Sequence, residues 1–238
     1  MKKNLYALFL IIQLFPIIAF AQKKEEQPHS SVAQKMALCE SILSALSGKP
    51  AEIEQLIATG TAGLREAGNN QKAQFVFYQS IGIGYYYQQN FEKAKQNFQQ
   101  AYQVASGSGM VEQSLKPLGN LIHINHYLGL QEEADHSARL LQNIVATTDT
   151  LKKKGDAYYN LGLYYQQQKF YYSTALNYFL KSAALHKPLA DTTHNLKLKL
   201  DYATKLMMVA EIYIYLKQAD KALEYLEKVK PYLNQSIF

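Results

Sequence analysis

The sequence predicts an all-α protein, a row of antiparallel helical hairpins, and three observations carry that prediction. A pattern of aromatic, small and apolar residues returns four times along the chain. The composition is rich in helix formers with bulky spacers: abundant Ala, Leu and Gln, 19 Tyr, no Trp, and only 18% charged residues. Alternating runs of Val, Ile and Thr, the mark of half-buried strands, are missing, and Gly and Pro fall between periodic segments.

At the start of the chain, Lys2 and Lys3 precede an apolar stretch from Leu5 to Phe20 that closes on Ala19-Phe20-Ala21. These are the parts of a secretory signal peptide, with cleavage expected after Ala21. A membrane anchor is the competing reading. The stretch is shorter than the ~20 apolar residues that span a bilayer, and it holds Gln13 and Pro16. The residue directly after the cleavage site is Gln22 and not a cysteine, so lipid modification is not expected. Export is, to the periplasm of a Gram-negative bacterium or the outside of a cell, with no stable membrane insertion afterwards. Cleavage leaves 217 of the 238 residues, enough for one large domain or one elongated array.

Without Lys2 and Lys3 the chain carries 23 basic residues against 19 acidic ones. That balance is too weak and too dispersed to point to nucleic acid. The basic run Lys152-Lys153-Lys154 is expected to solvate the start of a helix, although cations there oppose its dipole. The single cysteine, Cys39, cannot form an internal disulfide and suits an oxidising compartment where stray thiols are avoided.

A polar tether over residues 22–30, rich in Lys, Glu and Gln, is expected to be disordered. Next come Met36, Cys39, Ile42, Leu43 and Leu46 at helical spacing, then Gly48-Lys49-Pro50 and a second helical stretch from Ala51 to Glu66. Residues 31–70 thus form a degenerate hairpin, the form a terminal repeat takes. Residues 71–238 hold four more hairpins, for ten helices in all.

The clearest repeat runs Tyr78-x-x-Ile81-Gly82-x-x-Tyr85, then Ala94-x-x-x-Phe98 and Ala101. Another runs Tyr158-Tyr159-Asn160-Leu161-Gly162-x-x-Tyr165, then Ala175-x-x-x-Phe179 and Ser182. Two weaker copies are Leu118, Leu121, Gly129, Ala134, Leu141 and Leu206, Val209, Ala210, Tyr213, Ala222, Leu226, Val229. This pattern resembles the tetratricopeptide repeat, and the resemblance covers about residues 75–236. It implies a right-handed superhelical array of antiparallel hairpins. In such hairpins Gly82 and Gly162 admit the facing helix, Ala94 and Ala175 take the reciprocal place, and Tyr85 and Tyr165 fill the space between hairpins.

The departures from the pattern carry expectations too. In the second copy Ile122 stands in place of the small Gly and Ala138 in place of Phe, so looser packing is expected there. The third copy has one extra residue before Ala175, and no copy has the family's closing Pro in register, although Pro188 lies one residue late. Ala94, Ala134, Ala175 and Ala222 recur at intervals of 40, 41 and 47 residues, beyond the ~34 of the family, so longer helices or wider loops are expected.

Chemistry has little support in the residues. His123 and His126 lie three apart on one helix, but two ligands do not make a metal site. Cys39 sits on an apolar face with no His in its hairpin, as a structural thiol does. Gly107-Ser108-Gly109 has no preceding strand and no Lys-Ser or Lys-Thr pair for phosphate. Glu132-Glu133 begins a helix, where carboxylates complement the dipole. Neither catalytic, cofactor-binding nor metal-binding residues are assigned, and no cofactor is expected.

The resemblance implies instead a groove lined by the first helix of each hairpin, where a protein or peptide docks. It assigns Gln79, Ile83, Tyr86 and Tyr87 to that groove, then Lys116, Asn120, His123, His126 and Tyr127. Tyr159, Asn160, Leu163 and Gln166 follow, and last Met207, Glu211 and Tyr215. Asn120 and Asn160 stand where members of the family often bond a peptide backbone. The groove is aromatic and amide-rich and lacks the Lys and Arg cluster that clamps a terminal carboxylate; filling of a tight superhelix by these tyrosines is the alternative. Two functions follow: a non-catalytic exported scaffold, or the exported sensor region of a membrane-bound histidine kinase or regulator in signal transduction. The final helix, about Ala219 to Leu233, carries Leu223, Leu226, Val229, Tyr232 and Leu233 and has no polar cap. Its apolar end is expected to be covered, by homodimerisation through the C-terminal hairpin or by further sequence.

Overall fold

The computed structural model describes residues 27–233, with side chains from Ser31 onward. The signal peptide, most of the tether and the last five residues lie outside the described residues. All regular structure among the described residues is helical: ten α-helices, one 3₁₀ turn and one π turn. The chain divides between Gln88 and Gln89 into two compact units.

In the first unit, α1 spans Gln27–Ala45, α2 Pro50–Glu66 and α3 Gln71–Tyr87. Helix α1 therefore begins inside the stretch expected as a disordered tether. Pro50 opens α2, where a missing N–H costs nothing. Asn70 caps α3, its Oδ1 accepting from the Ala73 amide at 3.0 Å. The three helices bury Val32, Cys39, Leu56, Ala67, Ala73 and Phe77 together. A Cβ on Gly63 would lie 2.3 Å from the Phe77 ring, so only glycine lets α2 and α3 approach this closely. Cys39 is fully buried, and burial pushes its thiol above the usual range, as expected of a structural thiol.

In the second unit, α4 spans Phe91–Gly107, α5 Leu115–Tyr127, α6 Gln131–Ala146 and α7 Leu151–Leu163. Helices α8 (Tyr172–Asp191), α9 (Leu196–Tyr215) and α10 (Ala219–Leu233) complete it. Helix α5 packs on α6, α7 on α8 and α9 on α10, three of the four hairpins expected from the repeat. The repeat register is written into the turns. Gln89, Gly129, Phe170 and Lys217 all have positive φ, between 54° and 71°, and each stands five residues before an anchoring alanine. After Gly129 and Lys217 the next amide reaches back to a carbonyl five residues earlier, Leu130 to Asn125 at 2.7 Å and Gln218 to Tyr213 at 2.8 Å. That bond closes a helix whose last residue has turned left-handed.

The extra residue of the third copy is absorbed by a π turn at Tyr164–Gln168, directly after α7. The wide final interval is absorbed by length: α8 and α9 have 20 residues each, and α8 runs on through Pro188 to Asp191. Gly162 meets its expected neighbour, since a Cβ there would lie 2.6 Å from the Phe179 ring. The second copy is not loosened at Ile122 and Ala138: both are buried in one cluster with Leu118, Leu141 and Leu161. A large residue for a small one on α5 is offset by a small for a large one on α6, so the pair's summed volume is nearly kept.

Candidate functional site

The structure separates the groove residues expected from sequence into four kinds. Some are buried. Gln79 is 4% exposed with neither amide atom partnered, and Ile83 packs on the α1–α3 core. Gln166 is buried as well, its Nε2 donating to Glu211 Oε1 at 2.8 Å. These three are not open groove positions. Others are tied to a neighbouring helix: His123 Nε2 and Asn160 Oδ1 are hydrogen-bonded at 3.3 Å across α5 and α7. Burial lowers the His123 pKa, although its bond to Asn160 acts the other way.

The third kind is exposed: Tyr86, Tyr87, Lys116, His126, Tyr127, Met207 and Tyr215. Several of these rest on rings. Tyr127 stacks on Phe91 at 5.0 Å and Tyr215 on Tyr172 at 4.8 Å, both nearly parallel. The fourth kind is half-buried: Asn120, Tyr159 and Leu163. The bonds His123–Asn160 and Gln166–Glu211 put α5, α7 and α9 side by side, so first helices of successive hairpins form one face of the second unit.

Sequence reasoning missed the charge cluster joining α7, α8 and α9. His186 on α8 is 1% exposed, and its Nε2 lies 3.1 Å from Asp156 Oδ1 on α7 and 3.3 Å from Asp201 Oδ2 on α9. Its Nδ1 is 2.9 Å from the Ser182 carbonyl, so both ring nitrogens face acceptors. Burial alone would lower the imidazole pKa, but bonds to Asp156, Asp201 and Ser182 raise it to about 9, which makes it an imidazolium at neutral pH. Lys152 Nζ is 2.7 Å from Asp156 and Lys205 Nζ 2.6 Å from Asp201. Both carboxyls are held below their usual range by His186 and these lysines, against burial. Lys205 also stands 4.2 Å above the Tyr159 ring.

Asp156, His186 and Asp201 have the donor types of a metal site and lie within 4.8 Å of one another. Their chemistry here is different. Two carboxylates are shared among three cations, so a metal ion would have to displace a proton from His186 and at least one ammonium. The cluster ties three helices together. Its signal in the sequence was the register: His186 stands eleven residues after Ala175, where the preceding copies place Ala105 and Val145.

The basic run at the start of α7 is likewise compensated. Glu112, on the 3₁₀ turn Val111–Ser114, accepts from the Asp149 and Thr150 amides at 3.2 and 3.1 Å and from Lys153 Nζ at 3.0 Å. Bonds from the Thr150 hydroxyl and Lys153 are the main causes that lower its pKa to about 2. A carboxylate from another element thus faces the helix N-terminus that the lysines oppose. On α10, Val229 is buried and Tyr232 donates to Asp191 at 2.9 Å, whereas Leu223 and Leu226 are exposed. No helix among the described residues is long and apolar enough to cross a membrane.

A scan of protein-family models finds no match, nor does a search of curated proteins. Solved structures do resemble this one. BtubC (BKLC) from P. vanneervenii aligns over 89% of this chain and 93% of its own, at 14% identity and TM-score 0.63. A putative kinesin light chain from Podosopora anserina with nearly identical TPR-like repeats aligns over 89% and 99%, at 16% identity and TM-score 0.59. MamA 41-end from Desulfovibrio magneticus RS-1 aligns over 87% of this chain and 98% of that piece, at 15% identity and TM-score 0.52. With paired helices, recurring left-handed turns and these neighbours, the chain has the fold of the tetratricopeptide-like helical repeat arrays.

Proposed function

We propose that this chain is an exported, non-catalytic scaffold that holds a protein or peptide partner on the face formed by α5, α7 and α9. The observation that carries the reading is the alignment of first helices through His123–Asn160 and Gln166–Glu211, with Lys116, Tyr127, Met207 and Tyr215 exposed along them. Rings presented with little rotamer freedom suit a docking surface. The cluster of Asp156, His186 and Asp201 with Lys152 and Lys205 is spent on joining α7, α8 and α9, which supports binding over catalysis. Export rests on Lys2, Lys3 and the apolar stretch ending at Ala21.

Two measurements test the proposal. Fractionation with intact-mass analysis is expected to find a soluble chain beginning at Gln22; a chain that keeps Met1 and pellets with membranes contradicts export and release. Pull-down from envelope extract is expected to recover a partner with the native chain and lose it with a Tyr127→Ala, Met207→Ala variant of unchanged helicity. Equal recovery by the variant removes the binding role from this face.

A further inference from the structure

Between successive hairpins of the second unit, two copies place a pair of tyrosine rings. Tyr165 packs on Tyr178 with centroids 5.5 Å apart and planes 9° apart, and Tyr213 on Tyr225 at 5.5 Å and 37°. Tyr178 and Tyr225 each stand three residues after the anchoring alanine, and Tyr213 nine before it. Tyr165 stands ten before, because of the π turn. In the hairpin of α5 and α6 the same register puts Asn125 nine residues before Ala134 and Ser137 three after it. Both rings are absent from this copy.

A cavity of about 450 Å³ lies where they would be, between α4 and α6 and floored by α5. That is within the range of small-molecule sites. Leu118, Leu121 and Leu140 line it with the ring of Tyr102, and Asn125 and Ser137 are among its walls. Asn125 is 2% exposed, and its Oδ1 has no hydrogen-bond partner. A buried acceptor without a donor is uncommon and costly. In the next copy the same region is polar at its far end, where the Tyr165 and Tyr178 hydroxyls accept from Gln142 Nε2 at 2.9 and 3.0 Å. The cleft joins leucine side chains, an aromatic face and an acceptor that lacks a proton to receive with polar lining from Gln99, Gln103, Glu132, Glu133 and His136.

We propose that the cleft between α4 and α6 binds a phenolic ring, packed among the three leucines and Tyr102, with its hydroxyl donating to Asn125 Oδ1. The ring replaces from outside what Tyr165 and Tyr213 supply from within the chain. The site lies on the side of α5 turned away from Asn120 and His123, so it is independent of the face proposed for the scaffold's partner. The phenol belongs either to a tyrosine of a docking protein or to a free small molecule.

Calorimetric titration of the full chain with phenol, benzene and N-acetyltyrosinamide tests the proposal. Phenol is expected to bind saturably and benzene about tenfold more weakly, the worth of one hydrogen bond. In Asn125→Ala, which keeps the cavity but lacks the acceptor, the two are expected to bind alike. Asn125→Tyr with Ser137→Tyr rebuilds the ring pair and is expected to abolish binding; should that variant not fold, Ser137→Leu narrows the same space. Binding of N-acetyltyrosinamide as tight as that of phenol supports the site and identifies a partner's tyrosine, while binding of phenol alone supports it and identifies a free phenol. Absence of saturable binding by both, or undiminished binding in the folded filled variant, overturns the proposal.

Discussion

Gly155 on α7 lies directly against the imidazole of His186 on α8: a Cβ at Gly155 would stand 2.4 Å from His186 Cε1. The Ser182 hydroxyl donates to the Gly155 carbonyl at 2.7 Å in the same place. The close approach of these backbones is what lets one imidazolium reach carboxylates on two other helices. Gly155→Ala is therefore expected to destabilise by about 1–3 kcal/mol through overpacking, and to lower the melting temperature by about 2–4 °C per kcal/mol. An unchanged melt would mean that α7 and α8 yield there without cost.

His186 gives the stability a pH dependence of defined sign. Its folded pKa is about 9, against an ordinary 6.5. Between these values the folded chain holds a proton that the unfolded chain has released, so the contribution is complete below about pH 6.5 and lost as pH rises through 9. Allowing for solvent screening at Asp156, whose side chain is 42% exposed, the loss is on the order of 2 kcal/mol. Denaturant unfolding at pH 6 and pH 9.5 measures it, and His186→Gln is expected to remove the slope in that window. A slope retained in the variant would assign it to other groups.

Glu112 acts in the opposite direction. Its carboxyl pKa falls to about 2 from an ordinary 4.5, so its contribution is present above about pH 4.5 and lost as pH falls toward 2. Glu112→Gln is expected to melt below the native chain at pH 7 and to match it near pH 2, if both remain folded enough to melt. Equal melting at pH 7 would show that Lys152, Lys153 and Lys154 need no counter-charge at the start of α7.

Lys217 is exposed and sits at φ 57°, in the region L side chains disfavour. Lys217→Gly is expected to stabilise by about 0.5–1 kcal/mol, and Gly129→Ala, at φ 71° in the same turn of another copy, to destabilise by about as much. Thermal melts of the two variants check this. Shifts of the same sign would show that the turns are not equivalent.

Much of the fold was legible because it rests on local spacing. Helix periodicity, the alanines at 94, 134, 175 and 222, and the small Gly162 against Phe179 are fixed by which residues stand three, four or seven positions apart. The groove was legible only as a row of positions. Sequence register places Gln166 on the first helix of its hairpin, but whether that side chain stays open or bonds Glu211 depends on how closely α9 approaches, and that distance is set by neighbours 45 residues away.

What the sequence determined by itself is the hairpin and its repetition, since each copy carries its own turn, anchor and apolar stripe. What only the tertiary structure decided is where the copies differ in consequence. Ile122 with Ala138 and Asn125 with Ser137 are both departures from the repeat, and the sequence alone marked the first pair as the loose one. In the structure the first pair exchanges volume across one interface and stays buried, whereas the second loses volume on both sides and leaves the cavity. Likewise Lys152, Asp156, His186, Asp201 and Lys205 stand on three helices as separate surface-type residues until packing brings them within bonding distance. The physical reason is the same in both cases. Volume and charge are balanced between facing elements, so the balance exists only once the facing element is in place.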